Sequence, residues 1–291
     1  MDVVVGLDIG TQSTKVLAYD VGTKQVVASA ASPHAIIQRD DGTSEQDASW
    51  YLDAIRACFA QLPGQVRDSI VAIGVGGQQH GFVPVSSDGS PLAPVKLWND
   101  TSTSDECATL TERLGGEEAV FALLGNQILP GYTLSKVLHL KEHRREAYEQ
   151  LAHILLPHDY INYYLTGAYW AEAGDASGTA FFDVRRRVWC PEALEAVDGS
   201  RDLVAMLPPL IDSGAIGGRV SSRAARELGI REGIPVSSGA GDNMASAIGS
   251  GCVERGDLVM SMGTSGTLFG YSDELIADRE GRVAAFCSSS G

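Results

Sequence analysis

Four short stretches hold side chains whose types and spacing suit one reaction. The first, GLDIGTQSTK at residues 6–15, packs a carboxylate, a glycine turn and three hydroxyls into a few positions. Gly10 lets the backbone turn tightly against a ligand, and Thr11, Ser13 and Thr14 add hydroxyl donors, so the turn can cradle phosphate oxygens without positive charge. Asp8, closing the strand before it, is placed to hold a magnesium ion directly or through water. Taken alone, such a turn is equally an ordinary hairpin with a solvated Asp. The second stretch weighs against that reading: in MGTSGTLFG, Gly263, Thr264 and Thr267 repeat the spacing of Gly10, Thr11 and Thr14, with Ser265 beside them. Two opposed phosphate-gripping hairpins are what a duplicated domain leaves in a sequence.

The third stretch, GAGDNM, lies between the hairpins along the chain. A carboxylate at a helix N-terminus meets the positive end of the dipole and accepts amide hydrogen bonds, which predicts a lowered pKa and an ionised Asp242. Asp242 also suits a plain N-cap. Its flanking glycines and its position favour a base that takes a hydroxyl proton as the oxygen attacks a phosphoryl group. The fourth stretch, GGQQHG, sets Gln78, Gln79 and His80 at the carboxyl end of a strand, where α/β sheets bind ligands and an amide and an imidazole can hydrogen-bond vicinal hydroxyls. His139 and His143 have the i, i+4 spacing of a metal pair, but HLKEHRREAYE reads as a charged, solvated helix face.

The elements that must position these residues follow from periodicity. Residues 3–9 alternate into a strand, Gly10 and Thr11 turn, Val16 to Tyr19 return, and KQVVASAAS adds a third strand. A helix follows in TSEQDASWYLDAIRACFAQL, where Ser44 with Asp47 fits a capping box and Leu52, Ile55, Phe59 and Leu62 share one face. SIVAIGVGG is a buried strand. This order predicts an α/β sheet that is antiparallel at its first hairpin and parallel afterwards. FVPVSSDGSPLAPVKLWND reads as strand, Asp-Gly turn and strand, with Trp98-Asn99-Asp100 at its end. Helices are expected at about 103–114, 134–150 and 159–166, the last stopped by Gly167, then after Cys190-Pro191 and in SSRAARELG before Gly229. A strand, a glycine-rich turn and a helix starting near Asp242 precede the final hairpin.

Composition narrows the partners. With 22 Lys and Arg against 37 Asp and Glu the formal charge is −15, a field that repels nucleic acid and anionic membranes, so any phosphate must be held locally. No apolar run approaches the roughly 20 residues of a membrane span, and the N-terminus has no basic segment of a secretion signal. Five scattered cysteines with no C-x-x-C spacing argue against a disulfide framework and a cysteine zinc site, and fit the cytoplasm.

Assembled in order, GLDIGTQSTKVLAYD, SEQD, GGQQHG, LWND, PGYTLSK, LLPHDYINYYLTG, DASGT, GAGDNMASAIG and MSMGTSG make the chain resemble the FGGY carbohydrate kinases, among them the xylulokinases. The resemblance implies a ribonuclease-H-like, actin-like ATPase duplicated fold, a mixed sheet flanked by helices, with a sugar-binding domain over 1–249 and the beginning of an ATP-binding domain over 250–291. It implies ATP and Mg2+ as cofactors, Asp242 as the base and Asp8 in the magnesium shell. Gln79, His80, Trp98, Asn99, Asp242 and Asn243 become sugar contacts, and Gly10, Thr11, Ser13, Thr14, Gly263, Thr264 and Ser265 face the nucleotide phosphates. Thr101-Ser102 stand where many xylulokinases carry Gly-Arg, and Gln79 replaces a common methionine, which leaves ribulose, a heptulose and glycerol open as alternative acceptors. A chaperone-like or filament-forming nucleotide binder is the reading from another class. A homodimer is admitted, and the chain by itself is expected to have little kinase activity.

Overall fold

The computed structural model describes residues 1–262, 266–276, 278 and 282–291. Alternation decides where its first strand goes: along Val3–Ile9, Val3, Val5, Leu7 and Ile9 are at most 3 % exposed, while Asp8 points from the opposite face. This strand is central in a mixed sheet that runs from edge to edge as Ile216–Arg219, Pro235–Ser237, Ile70–Gly77, Val3–Ile9, Ser13–Asp20 and Gln25–Pro33. The last three form an antiparallel meander, and Ile70–Gly77 joins parallel to Val3–Ile9, as the element order predicts. Pro235–Ser237 continues in parallel, but the edge strand Ile216–Arg219 is antiparallel, so the sheet does not stay parallel to its edge.

Helix Ala48–Gln61 buries Tyr51, Leu52, Ile55 and Phe59 against the meander, and Pro157–Thr166 and Ser222–Leu228 extend the same layer. The expected Ser44–Asp47 capping box is corrected. Asp47 alone caps, accepting from the Ser49 N–H at 2.8 Å, because Ser44–Gln46 stays extended in pairing with Val95–Lys96. Gly167 and Gly229 end their helices with φ of 79° and 62°, the left-handed conformation that favours glycine.

A second core lies beside the sheet, where helices Ser104–Arg113, Glu117–Leu124, Thr133–His143 and Pro191–Asp198 pack around Leu110, Val120, Leu134, Phe181 and Leu194. The helix expected over 134–150 breaks at Arg144 and resumes as Arg145–Gln150, which returns Tyr148 and Leu151 to this core. Nor do the strands on either side of Asp88-Gly89 form a simple hairpin: Val83–Val85 pairs with His153–Leu155, while Val95–Lys96 pairs with Ser44–Gln46. All five cysteines are free and buried. Among the described residues, no helix is long and apolar enough to cross a membrane.

Candidate active site

Sheet register brings the two candidate carboxylates to one edge. Asp8 is level with Gly76 on one side of the Ile70–Gly77 strand, and Ala240 is level with Gly76 on the other. Helix Asp242–Gly249 starts two residues later. Asp8 and Asp242 therefore line a common cavity of about 790 Å³, with Gly10, Lys15, Asn243 and Ser261. Ser261 belongs to the second hairpin, Leu258–Met262 with Gly266–Gly270, where it pairs with Thr267. Both hairpins thus reach the cavity, although Gly263, Thr264 and Ser265 lie outside the described residues.

Asp242 is the first residue of its helix, and Gly241 takes the cap position. The Asp242 Oδ1 accepts the Asn243 N–H at 2.8 Å. Burial pushes its carboxyl up to about 7, and the negative charges of Asp175 and Asp8 act in the same direction. The expected lowering by the helix dipole is therefore reversed, since amide donation does not offset desolvation and two like charges. The result suits a base better than a strongly ionised Asp would, because a proton acceptor works best near the working pH.

Asp175, in the DASGT stretch, was not singled out by sequence. It is buried with His158, whose Nδ1 is 2.7 Å from the Asp175 Oδ2. Burial opposes the charge on His158, but Asp159 and Asp175 prevail and raise its pKa to about 9. The available signal was an acid set among small residues that also stand against the site: a Cβ at Gly178 would lie 1.8 Å from the His80 Cε1.

The GGQQHG residues divide by face. Gln78 turns into the protein, donating to the Gln46 Oε1 at 2.8 Å and accepting from the Thr11 hydroxyl at 3.1 Å. Gln79 turns towards Asp242, and its Oε1 accepts from the Asn243 Nδ2 at 2.8 Å. His80 holds a left-handed backbone, φ 61°, of the kind that clusters at functional sites. The buried Lys136 ammonium donates to the His80 carbonyl at 2.7 Å and fixes that turn. The His80 ring stacks on Phe286 and meets the edge of Tyr132, and burial lowers its pKa to about 4, leaving a neutral imidazole. Trp98 donates from its ring to the Thr11 hydroxyl at 3.0 Å, with 44 % of the residue exposed. Among the described residues, four buried polar atoms here, Gln79 Nε2, His80 Nδ1, Asn99 Oδ1 and Asp175 Oδ1, have no hydrogen-bond partner. Buried polar groups seldom stay unpaired, and such a mixture of donors and acceptors matches a ligand with several hydroxyls.

The hydroxyls of the first hairpin do not serve as expected. Thr14 is fully buried and faces His34, because strand alternation turns it to the core side. Thr11 already donates to Gln78 and accepts from Trp98, and neither it nor Ser13 lines the cavity. What the hairpin presents there is Gly10, Asp8 and Lys15, the last 3.3 Å from the Asp8 carboxylate. A divalent cation fits this setting, since Asp8 offers a hard oxygen ligand where the charges of Asp8 and Asp175 already raise Asp242.

A mixed sheet with two carboxylates at one end and paired hairpins around one cavity is the architecture of the actin-like ATPase fold. Residues 3–249 match the N-terminal domain of the FGGY family of carbohydrate kinases, and the chain belongs to that family. It is 37 % identical to the xylulose kinase of Haemophilus influenzae over 98 % of this chain and 59 % of that one, and 37 % identical to that of Streptomyces rubiginosus over 99 % and 58 %. The crystal structure of a xyloylose kinase from Brucella ovis superposes with a TM-score of 0.90 at 31 % identity, covering 98 % of this chain and 58 % of the other. The chain spans somewhat under three fifths of the length of these relatives.

Proposed function

We propose that the chain forms the sugar-holding and proton-accepting part of an ATP-dependent ketose kinase, with D-xylulose as acceptor and D-xylulose 5-phosphate as product. The observation that carries the reading is Asp242, a half-buried carboxylate with its pKa raised to about 7 beside unpaired donors and acceptors. Gln79, His80 and Asn243 orient the sugar through its hydroxyls, with Trp98 and Asn99 closing the same side. Asp242 takes the O5 proton as the O5–phosphorus bond forms and the bond to the ADP oxygen breaks. Asp8 is the residue that would hold Mg2+, which when bound neutralises phosphate charge. Residues 1–249 would make the sugar domain and 250–291 the start of the nucleotide domain. The free thiols suit a reducing cytoplasm.

The test is a substrate panel. ADP release from ATP is followed for the protein as expressed from its gene with D-xylulose, D-ribulose, a heptulose, gluconate and glycerol. D-xylulose should give the highest kcat/KM. A higher value for any other acceptor would reassign the substrate, and no sugar-dependent ADP release at all would remove the kinase reading.

A further inference from the structure

The helix Thr133–His143 carries His139 and His143 on its last turns, and the neighbouring helix Ser104–Arg113 sets Glu106 against both. The Glu106 Oε1 is 2.7 Å from the His139 Nδ1 and 3.2 Å from the His143 Nε2. One ligand atom from each of the three residues falls within 4.8 Å of the others. Zinc bonds of about 2.0–2.2 Å to nitrogen and oxygen place adjacent tetrahedral ligands on the order of 3.4 Å apart, so small side-chain rotations make room for an ion.

Charge and access support the same reading. Glu106 is 4 % exposed, and among the described residues its carboxylate meets two imidazoles and forms no ion pair with Lys or Arg. Two imidazole nitrogens and a carboxylate oxygen converging on one point make a donor set that a divalent cation can occupy. The nearby Lys96 is committed elsewhere, to Asp100 at 3.0 Å and Glu45 at 3.4 Å. Outside the cluster a separate solvent-open cavity of about 760 Å³, also lined by Asp105, Thr109 and Glu142, gives access and room for water as a further ligand. Two imidazoles and one carboxylate suit Zn2+, Co2+ or Ni2+, whereas Mg2+ seeks oxygen ligands alone.

We propose that Glu106, His139 and His143 bind one transition-metal ion of the zinc class, distinct from the magnesium expected at Asp8. The ion ties the two helices together. Because helix Thr133–His143 also carries Lys136, which holds the His80 carbonyl, the bound metal steadies the sugar side of the active site.

The chain, freed of any histidine tag and stripped with chelator, is titrated with CoCl2 and read by visible absorption, and its melting temperature is followed with ZnCl2. One equivalent of Co2+ should bind, be displaced by Zn2+, resist excess Mg2+, and accompany a rise in melting temperature. Glu106→Gln and His143→Gln should each weaken binding at least about tenfold. The His143 side chain is 56 % exposed, so its variant folds even where a change at Glu106 does not. Absence of saturable one-to-one Co2+ binding, or unchanged affinity in His143→Gln, would overturn the proposal.

Discussion

Asp242→Asn should make the fold more stable while removing the proposed proton acceptor. In the folded chain, burial, Asp175 and Asp8 raise the Asp242 carboxyl from an ordinary 3.8 to about 7. That difference corresponds to about 4 kcal/mol at 1.36 kcal/mol per tenfold change, an upper bound because the cavity admits water. For a chain of this size that bound amounts to at most about 6 °C in melting temperature. The sign follows from linkage. Above pH 7 the carboxylate is ionised in both folded and unfolded chains, and the fold bears the full cost. As pH falls from about 7 towards 4, the folded carboxyl protonates first and the cost fades. Asn is neutral throughout, so its advantage should be greatest near pH 8, fall below half by about pH 5 and vanish under about pH 4. Thermal melts of wild type and variant without ligand at pH 8 and pH 5 measure this directly. An equal difference at both values, or a variant less stable at pH 8, refutes the assignment of the strain to this carboxylate.

Two further perturbations probe the frame around it. Gly178→Ala places a methyl 1.8 Å from the His80 Cε1 and must displace that ring; isothermal titration with sugar should show affinity reduced about tenfold or more, and because the ring is packed against Phe286 and Tyr132 stability should fall by about 1–3 kcal/mol. Trp170→Ala empties a site where the ring is 2 % exposed and donates to the Ser238 carbonyl at 2.9 Å; urea unfolding should show a loss of about 3–5 kcal/mol, and a loss under about 1 kcal/mol would contradict a core role.

Features set by local chemistry could be read from the residues alone. The alternation of Val3 to Ile9, the left-handed stops at Gly167 and Gly229 and the proline start after Cys190 need little knowledge of neighbours, and each appears in the structure. Asp8, Asp242, Gln79 and His80 stand out in the sequence as candidates because glycines and strand ends mark them. Features set by tertiary contact were not legible. The Asp242 pKa depends on Asp175, which comes from a distant segment. Ser44 fits a cap until pairing with Gln38 draws it into a sheet. Thr14 looked like a phosphate ligand because its hydroxyl was counted before its face of the strand. His139 and His143 read as solvated because Glu106 reaches them only through helix packing.

The most direct trial of the proton-acceptor role is a single-turnover measurement of phosphate transfer by Asp242→Asn, with sugar affinity determined alongside. Loss of one positioned base predicts a rate lower by about 10²- to 10⁴-fold with the sugar Kd little changed. A variant that transfers phosphate at nearly the normal rate would contradict the account.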